Sequence, residues 1–500
     1  MMKTKVTAAL LAGIMALGSM VSAGVNAAPA KNGGMRDIST TELVHEMGIG
    51  INLGNTMEAC GDWIAQYSDG SVNAYETSWG SPTVTKEMIQ GMADEGFGVV
   101  RVPVAWSNRM KDDGTYTIDP ELTARVQQIV DWVIDANMYC IINIHWDNGW
   151  VNKFPEDEEG CMKRYEIMWT QIAKAFEDYD DHLMFESQNE ELGWESIWNP
   201  WSGTQAQKEQ SYALCNKVNQ KFVDVIRASG GNNPKRHLLI SGYNTGFDRT
   251  CDPLFKMPND PANRMAVSVH YYTPAGFCIL EDEDASWAKC RATWGTDEDY
   301  KELNTNMDMM KNGYADKGIP VIIGEYGCPT KGKEPESVRK FLSSVCKAAY
   351  ERNLCPVLWA TPKDGKRPED TLSGHYNRET YQLCDPELKK AFNEITGFKP
   401  TEKTTEATTE ATTEATTEAT TEATTVATTE ATTAATDAET FVKGDVNKDG
   451  ALDIMDVISL QKWLLAVESK ADGKASDLNE DGVVDVYDLG LLKRLILSKK

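Results

Sequence analysis

Along residues 31–399, short runs of β-branched and apolar residues recur, most followed by a longer stretch with apolar positions every three to four residues. The short runs cover residues 48–55, 98–104, 139–146, 183–190, 237–242, 266–272, 320–325 and 356–360. Helical stretches between them include 121–136, 164–179, 205–229 and 337–352. The connection through 252–263 carries Pro253, Pro258 and Pro261 and reads as irregular. Alternating strand and helix patterns imply a parallel sheet with crossover helices. Eight such units predict an α/β fold, a closed (β/α)8 TIM barrel. An open doubly wound sheet is the rival, but no glycine-rich phosphate loop follows the first strand.

Polar and aromatic residues fall at the carboxyl ends of these runs: Asn55 after the first, Arg101 in the second, His145 in the third, Asn189 and Glu190 after the fourth. His270 and Tyr272 close the sixth, Glu325 the seventh, and Trp359 lies near the end of the eighth. In a parallel barrel those ends share one rim, where active sites form. Taken singly, a glutamate there is an ordinary ion-pair partner, His145 a core histidine and Trp359 a filler. Their convergence argues for chemistry. Breaking an acetal between sugars needs a proton on the leaving oxygen and stabilisation of an oxocarbenium-like centre, jobs that two differently placed carboxyls perform. Glu190 and Glu325 are that pair. Arg101 would keep a neighbouring carboxylate ionised, and Tyr272 would donate to it, sharing a strand face with His270. Asn189 would hold a sugar hydroxyl. A metal-dependent hydrolase built on His145, Asp147 and His270 is the weaker alternative, because His-x-Asp is a poor metal signature.

Composition narrows the partners. The formal charge of −26 argues against nucleic acid, whose affinity rests on lysine and arginine, and is compatible with a neutral polysaccharide. Residues 1–28 carry Lys3 and Lys5, an apolar run over 6–20, then Ala23, Ala27 and Ala28: a secretory signal, too short in its apolar part for a membrane span. No other segment has the length to cross a bilayer, so an exported, extracellular protein is expected. Its eleven cysteines cannot all pair within one chain, and several, such as Cys140 and Cys346, sit in apolar elements as buried thiols. Residues 400–440 repeat Thr-Thr-Glu-Ala without large apolar side chains and read as a solvated tether. Tryptophans crowd the loops at the rim (Trp79, Trp106, Trp150, Trp194, Trp198 and Trp201) and are candidate platforms for sugar rings, although for any one of them core packing is the commoner fate.

Residues 441–500 hold two similar units. One places oxygen ligands at Asp445, Asn447, Asp449, Asp453 and Asp456 with Gly450 at the turn; the other places them at Asp477, Asn479, Asp481, Asp485 and Asp488 with Gly482. Two such loops in tandem predict two Ca²⁺ ions. Apolar helical runs follow each, at 457–465 and 489–497.

The segments Asn52-Leu53-Gly54-Asn55-Thr56, Arg101-Val102-Pro103-Val104, Phe185-Glu186-Ser187-Gln188-Asn189-Glu190 and Ile323-Gly324-Glu325-Tyr326-Gly327 resemble glycoside hydrolase family 5. Glu76-Thr77-Ser78-Trp79-Gly80 resembles its bacterial endoglucanase branch. The resemblance implies Glu190 as general acid/base and Glu325 as nucleophile. Arg101, His145, Asn189, His270, Tyr272 and Trp359 form the supporting shell, with no catalytic cofactor. Glu191 stands where many relatives have proline, and Trp146 where many have a second histidine. The tail resembles a dockerin, which implies a cohesin partner on a multi-enzyme scaffold, with Ile454, Met455, Val486 and Tyr487 at the contact positions. The expectation is a retaining endo-β-1,4-glucanase acting on cellulose or related β-glucans. Xyloglucan, xylan or mannan are alternative polymers, and a non-catalytic polysaccharide-binding subunit is the alternative of another class.

Overall fold

The computed structural model describes residues 33–111, 113–190, 194–362 and 373–399 of a first unit. In a second it describes 443–448, 450–452, 454–464, 473–478, 484, 488–489, 491–492 and 495. The segments read as signal and tether lie outside the described residues.

In the first unit eight parallel strands close in chain order: β1 (Gly50–Asn52), β2 (Val99–Val102), β3 (Tyr139–Asn143), β4 (Leu183–Glu186), β5 (Leu238–Ser241), β6 (Met265–Tyr271), β7 (Val321–Tyr326) and β8 (Cys355–Leu358). Strand β8 pairs back on β1, Gly50 opposite Val357, so the sheet has no edge. This is the (β/α)8 barrel expected from the alternation. The major helices are α1 (Thr40–Met47), α2 (Lys86–Asp94), α3 (Pro120–Asp135), α4 (Glu158–Ala175), α5 (Gln205–Ala228), α6 (Asp297–Gly313), α7 (Pro335–Tyr350) and α8 (Pro386–Thr396). Helix α3 illustrates why they form: Asp119 caps the first turn, Pro120 fits there, and Leu122, Val126, Ile129, Val130 and Val133 recur on one buried face. After β5 a single helical turn, Phe247–Thr250, leads into the proline-bearing connection, which has no further helix.

Strands β1, β3 and β4 stop short of their expected ends. Asn55, His145, Asn189 and Glu190 therefore lie on the chain just beyond the ladder rather than in it. Polarity alone does not mark where pairing ends. The backbone does, because Asn55 (φ +57) and Asp147 (φ +51) have left-handed conformations that no strand continues.

A period of two sets the barrel's interior. Val99, Ile141, Met184, Leu239, Ala266 and Ile322 pack with Leu43, Val44 and Met47 of α1 in one buried apolar cluster. Two residues further along five of these strands stand Arg101, Asn143, Glu186, Ser241 and Ser268, all buried. The interior thus changes from apolar to polar toward the carboxyl ends of the strands. Cys140 and Cys346 are buried, as their apolar elements imply.

The second unit packs Val446, Val457, Leu460 and Leu492 into a small core around α9 (Ile454–Leu464). Val457 and Leu460 lie on this helix, which begins earlier than residue 457.

Candidate active site

Arg101 organises the polar end of the barrel. Fully buried on β2, it donates through Nε to Glu186 at 2.7 Å, through one terminal nitrogen to Asn52 at 3.0 Å and Glu325 at 2.9 Å, and through the other to Asn189 at 2.9 Å. All three guanidinium nitrogens are used, so its position is fixed by four partners on or just beyond three strands, β1, β4 and β7. Glu186 also accepts from Asn143 at 2.9 Å and Ser268 at 2.7 Å. Glu325, at the end of β7, accepts from Tyr272 at 2.9 Å on its other oxygen. Glu190 accepts from His270 Nδ1 at 2.6 Å, and that nitrogen is 3.7 Å from Glu325. Ligand atoms of Glu190, His270 and Glu325 lie within 4.8 Å of one another. Gly324 makes this possible: a Cβ there would stand 3.0 Å from the Ser268 hydroxyl and 3.2 Å from His270 Nε2.

The two carboxyls differ in surroundings. Glu325 is 6% exposed, whereas the Glu190 side chain retains 44% exposure to solvent. Burial pushes Glu325 above the usual carboxylate range; His270 and Arg101 pull the other way, and the Glu190 charge adds to the rise. Burial also opposes the Glu190 charge, but the His270 hydrogen bond, the imidazolium charge and Arg101 outweigh it and hold this carboxyl low. His270 loses proton affinity by burial yet is raised overall by Glu325 and Glu190. In the free protein the mobile proton therefore belongs to the group of three, with His270 favoured over Glu190. Burial, Arg101 and His270 all hold His145 well below the usual imidazole range.

A sequence model of the cellulase family (glycosyl hydrolase family 5) matches residues 60–365, more than half of the chain. The chain belongs to glycoside hydrolase family 5. Residues 443–497 match the dockerin type I domain. Endoglucanase B of Clostridium cellulovorans is 32% identical over 89% of this chain and 88% of its own. A xyloglucan-specific endo-beta-1,4-glucanase of Bacteroides ovatus is 36% identical over 66% of each chain. The solved broad-specificity endoglucanase from an uncultured bovine rumen ciliate is 36% identical, with a TM-score of 0.64 over 72% of this chain and 98% of its own.

Of the residues singled out in sequence, the family 5 barrel joins Arg101, Asn189, Tyr272 and Glu325 by hydrogen bonds and sets the hydrogen-bonded pair Glu190 and His270 against them, His270 Nδ1 3.7 Å from Glu325. His145 sits beside it, its ring parallel to that of Trp359 at 6.1 Å and its Nδ1 3.4 Å from Asn143. Asn55 stands apart, tied through its backbone N–H to Glu58. Asp147 is bound by Ser107 and Trp150, and among the described residues the acidic and imidazole group at the barrel mouth is Glu190, His270 and Glu325. Trp106 and Trp150 are buried in the core, Trp198 is half-buried, and Trp79 and Trp201 are exposed; nothing is described for the side chain of Trp194. Four participants escaped the sequence reading. Asn52, Asn143, Glu186 and Ser268 are lone polar residues inside apolar runs, and their two-residue offset from the inward apolar layer was the signal. Arg378 is a fifth: buried, it ties Thr56 (2.7 Å) and Ser81 (2.6 Å) to the carbonyl of Ala360 (3.1 Å), fastening the ends of β1 and β8.

In the dockerin unit, Asp445, Asn447, Asp456, Asp477 and Asp488 are described, whereas Asp449, Asp453, Asn479, Asp481 and Asp485 lie outside the described residues. So do Val486 and Tyr487, and nothing is described for the side chains of Ile454 and Met455. Asp456 accepts from the Val446 N–H at 2.8 Å and Asp488 from the Leu478 N–H at 2.7 Å, the same relation in each repeat.

Proposed function

We propose that this chain is a secreted, retaining endo-β-1,4-glucanase, docked to a cohesin-bearing scaffold, with Glu325 as nucleophile and Glu190 as general acid/base. The observation that carries the reading is the spacing of the two carboxyls. Their nearest oxygens fall within 4.8 Å, in keeping with the separation of about 5–5.5 Å in retaining enzymes and too close for the water an inverting enzyme seats between them. Arg101 and Tyr272 hold Glu325 by both oxygens, aiming it and stabilising its charge. Glu190 is the more exposed of the pair, as a group meeting a leaving oxygen in an open groove requires. Its proton comes from His270, a hydrogen bond away, as bound sugar excludes water and disfavours the separated charges. Glucose units linked β-1,4 are the substrate suggested by the endoglucanase relatives, and the xyloglucanase relative supports tolerance of branched β-glucan.

The test is the anomeric configuration of the first product. Proton NMR of a cello-oligosaccharide digest is expected to show the β-anomer first, with the α-anomer growing only by mutarotation. An initial α-anomer would reject the double displacement.

The oxygen-only ligand sets of the dockerin loops suit calcium, and Asp445, Asp456 and Asp488 are buried carboxylates of the kind such ions hold. Chelation is expected to reduce the helical signal of the C-terminal unit and abolish cohesin binding, while hydrolysis of soluble substrate persists. Truncation after Lys399 should likewise preserve turnover. Loss of turnover in either experiment would contradict the modular reading.

A further inference from the structure

The chain just after His145 is locally strained. Asp147, Asn148 and Gly149 stand consecutively in the left-handed region, with φ of +51, +61 and +68. A non-glycine residue there is strained, less so for Asp and Asn than for other side chains. Buried hydrogen bonds hold the turn in place. The fully buried Asp147 carboxylate accepts from the Ser107 N–H at 2.7 Å, the Ser107 hydroxyl at 2.7 Å and the Trp150 indole at 2.8 Å. Arg164 lies over Trp150, 4.4 Å from the ring centroid, and donates to the same Ser107 hydroxyl.

This turn carries Trp146, whose side chain is 48% exposed. A Cβ at Gly149 would come within 3.2 and 3.3 Å of Cζ2 and Cε2 of the indole. The ring thus rests on the glycine, backed by the turn and open to solvent elsewhere. The Gly149 N–H closes the turn on the Trp146 carbonyl at 2.7 Å. A large apolar ring therefore packs on its own turn with about half its surface in water, one residue from His145, whose ring lies parallel to that of Trp359.

We propose that Trp146 is a sugar-stacking platform of the substrate groove, its open indole face receiving the C–H face of a glucosyl ring. Preorganisation is the advantage: an indole already seated on its own turn loses less side-chain entropy when a sugar docks on it. The inference rests on the glucanase reading above and adds a determinant of polymer binding to it.

The experiment compares full-length wild type with Trp146→Ala and Trp146→Phe on a soluble β-1,4-glucan and on cello-oligosaccharides of increasing length. Trp146→Ala is expected to raise KM about 3- to 10-fold on the substrates long enough to reach it. Its kcat should stay within about twofold, and its melting temperature should not change, since the side chain is half exposed. Trp146→Phe should recover most of the loss. If wild type hydrolyses the glucan and Trp146→Ala keeps its KM on every substrate, or loses kcat at constant KM, the platform is overturned while the glucanase reading stands. If wild type leaves β-1,4-glucan intact, the glucanase reading fails and the inference falls with it.

Discussion

Replacing Glu325 by alanine is expected to lower kcat on β-1,4-glucan by at least about 10⁴-fold and leave the barrel folded. The first part follows from the covalent step: without a carboxylate on the β7 side, nothing displaces the leaving group and no glycosyl–enzyme intermediate forms. The second follows from Arg101. Deleting one member of a buried ion pair ordinarily costs about 3–5 kcal/mol, because the partner charge is left unpaired. Here Arg101 keeps Glu186 at 2.7 Å and its bonds to Asn52 and Asn189, so its charge remains matched. Glu325→Gln, which preserves volume, should be equally inactive and at least as stable. Added azide should enter the vacated space in Glu325→Ala and attack an activated aryl cellobioside, yielding the α-glycosyl azide. Steady-state kinetics, a thermal melt and product NMR check the three points. Activity within tenfold of wild type would remove Glu325 from the reaction.

The barrel was legible because each level of the sequence agreed with the next. Apolar runs of strand length alternated with helical periodicity, caps such as Asp119-Pro120 lay where helices began, and polar residues gathered at one end of each run. Strand ends were less legible, since Asn55, His145 and Glu190 continue the run in composition while the backbone has already left the ladder. The inner polar layer was less legible for a related reason. Asn143, Glu186 and Ser268 are single polar residues within apolar strands; their two-residue offset marks the inward face, but a line of sequence does not show which of them meet across the barrel. Trp106 and Trp150 followed the commoner fate of aromatic residues near loops. Trp146 was noted only as a departure from a histidine, because its exposure depends on three left-handed residues after it, a conformation that Asp-Asn-Gly permits but does not announce.

Glu190→Ala is expected to behave differently from Glu325→Ala, and the difference separates the two roles. A general acid contributes about 10²–10⁴-fold where the departing group needs a proton. Polymeric glucan, whose leaving group is a sugar hydroxyl, should lose that much in kcat/KM. An aryl cellobioside with an acidic phenol leaves unaided, so its first step should be nearly normal and the covalent intermediate should accumulate, visible as a burst of phenol and a lowered KM. Azide, which needs no general base, should then speed turnover and give the β-glycosyl azide, the opposite anomer from the nucleophile variant. The substitution also removes the partner of His270 at 2.6 Å, one of the groups that raise the imidazole's proton affinity. The ring should consequently lose its proton at lower pH than in wild type, a shift that NMR titration of the histidine would read. Equal losses on the glucan and the activated phenyl glycoside, without a burst, would mean that Glu190 supports the site without handling the proton. The 44% exposure of its side chain and its bond to a protonatable ring are what argue against that: a carboxyl placed only to brace Arg101 would be buried against it, as Glu186 is.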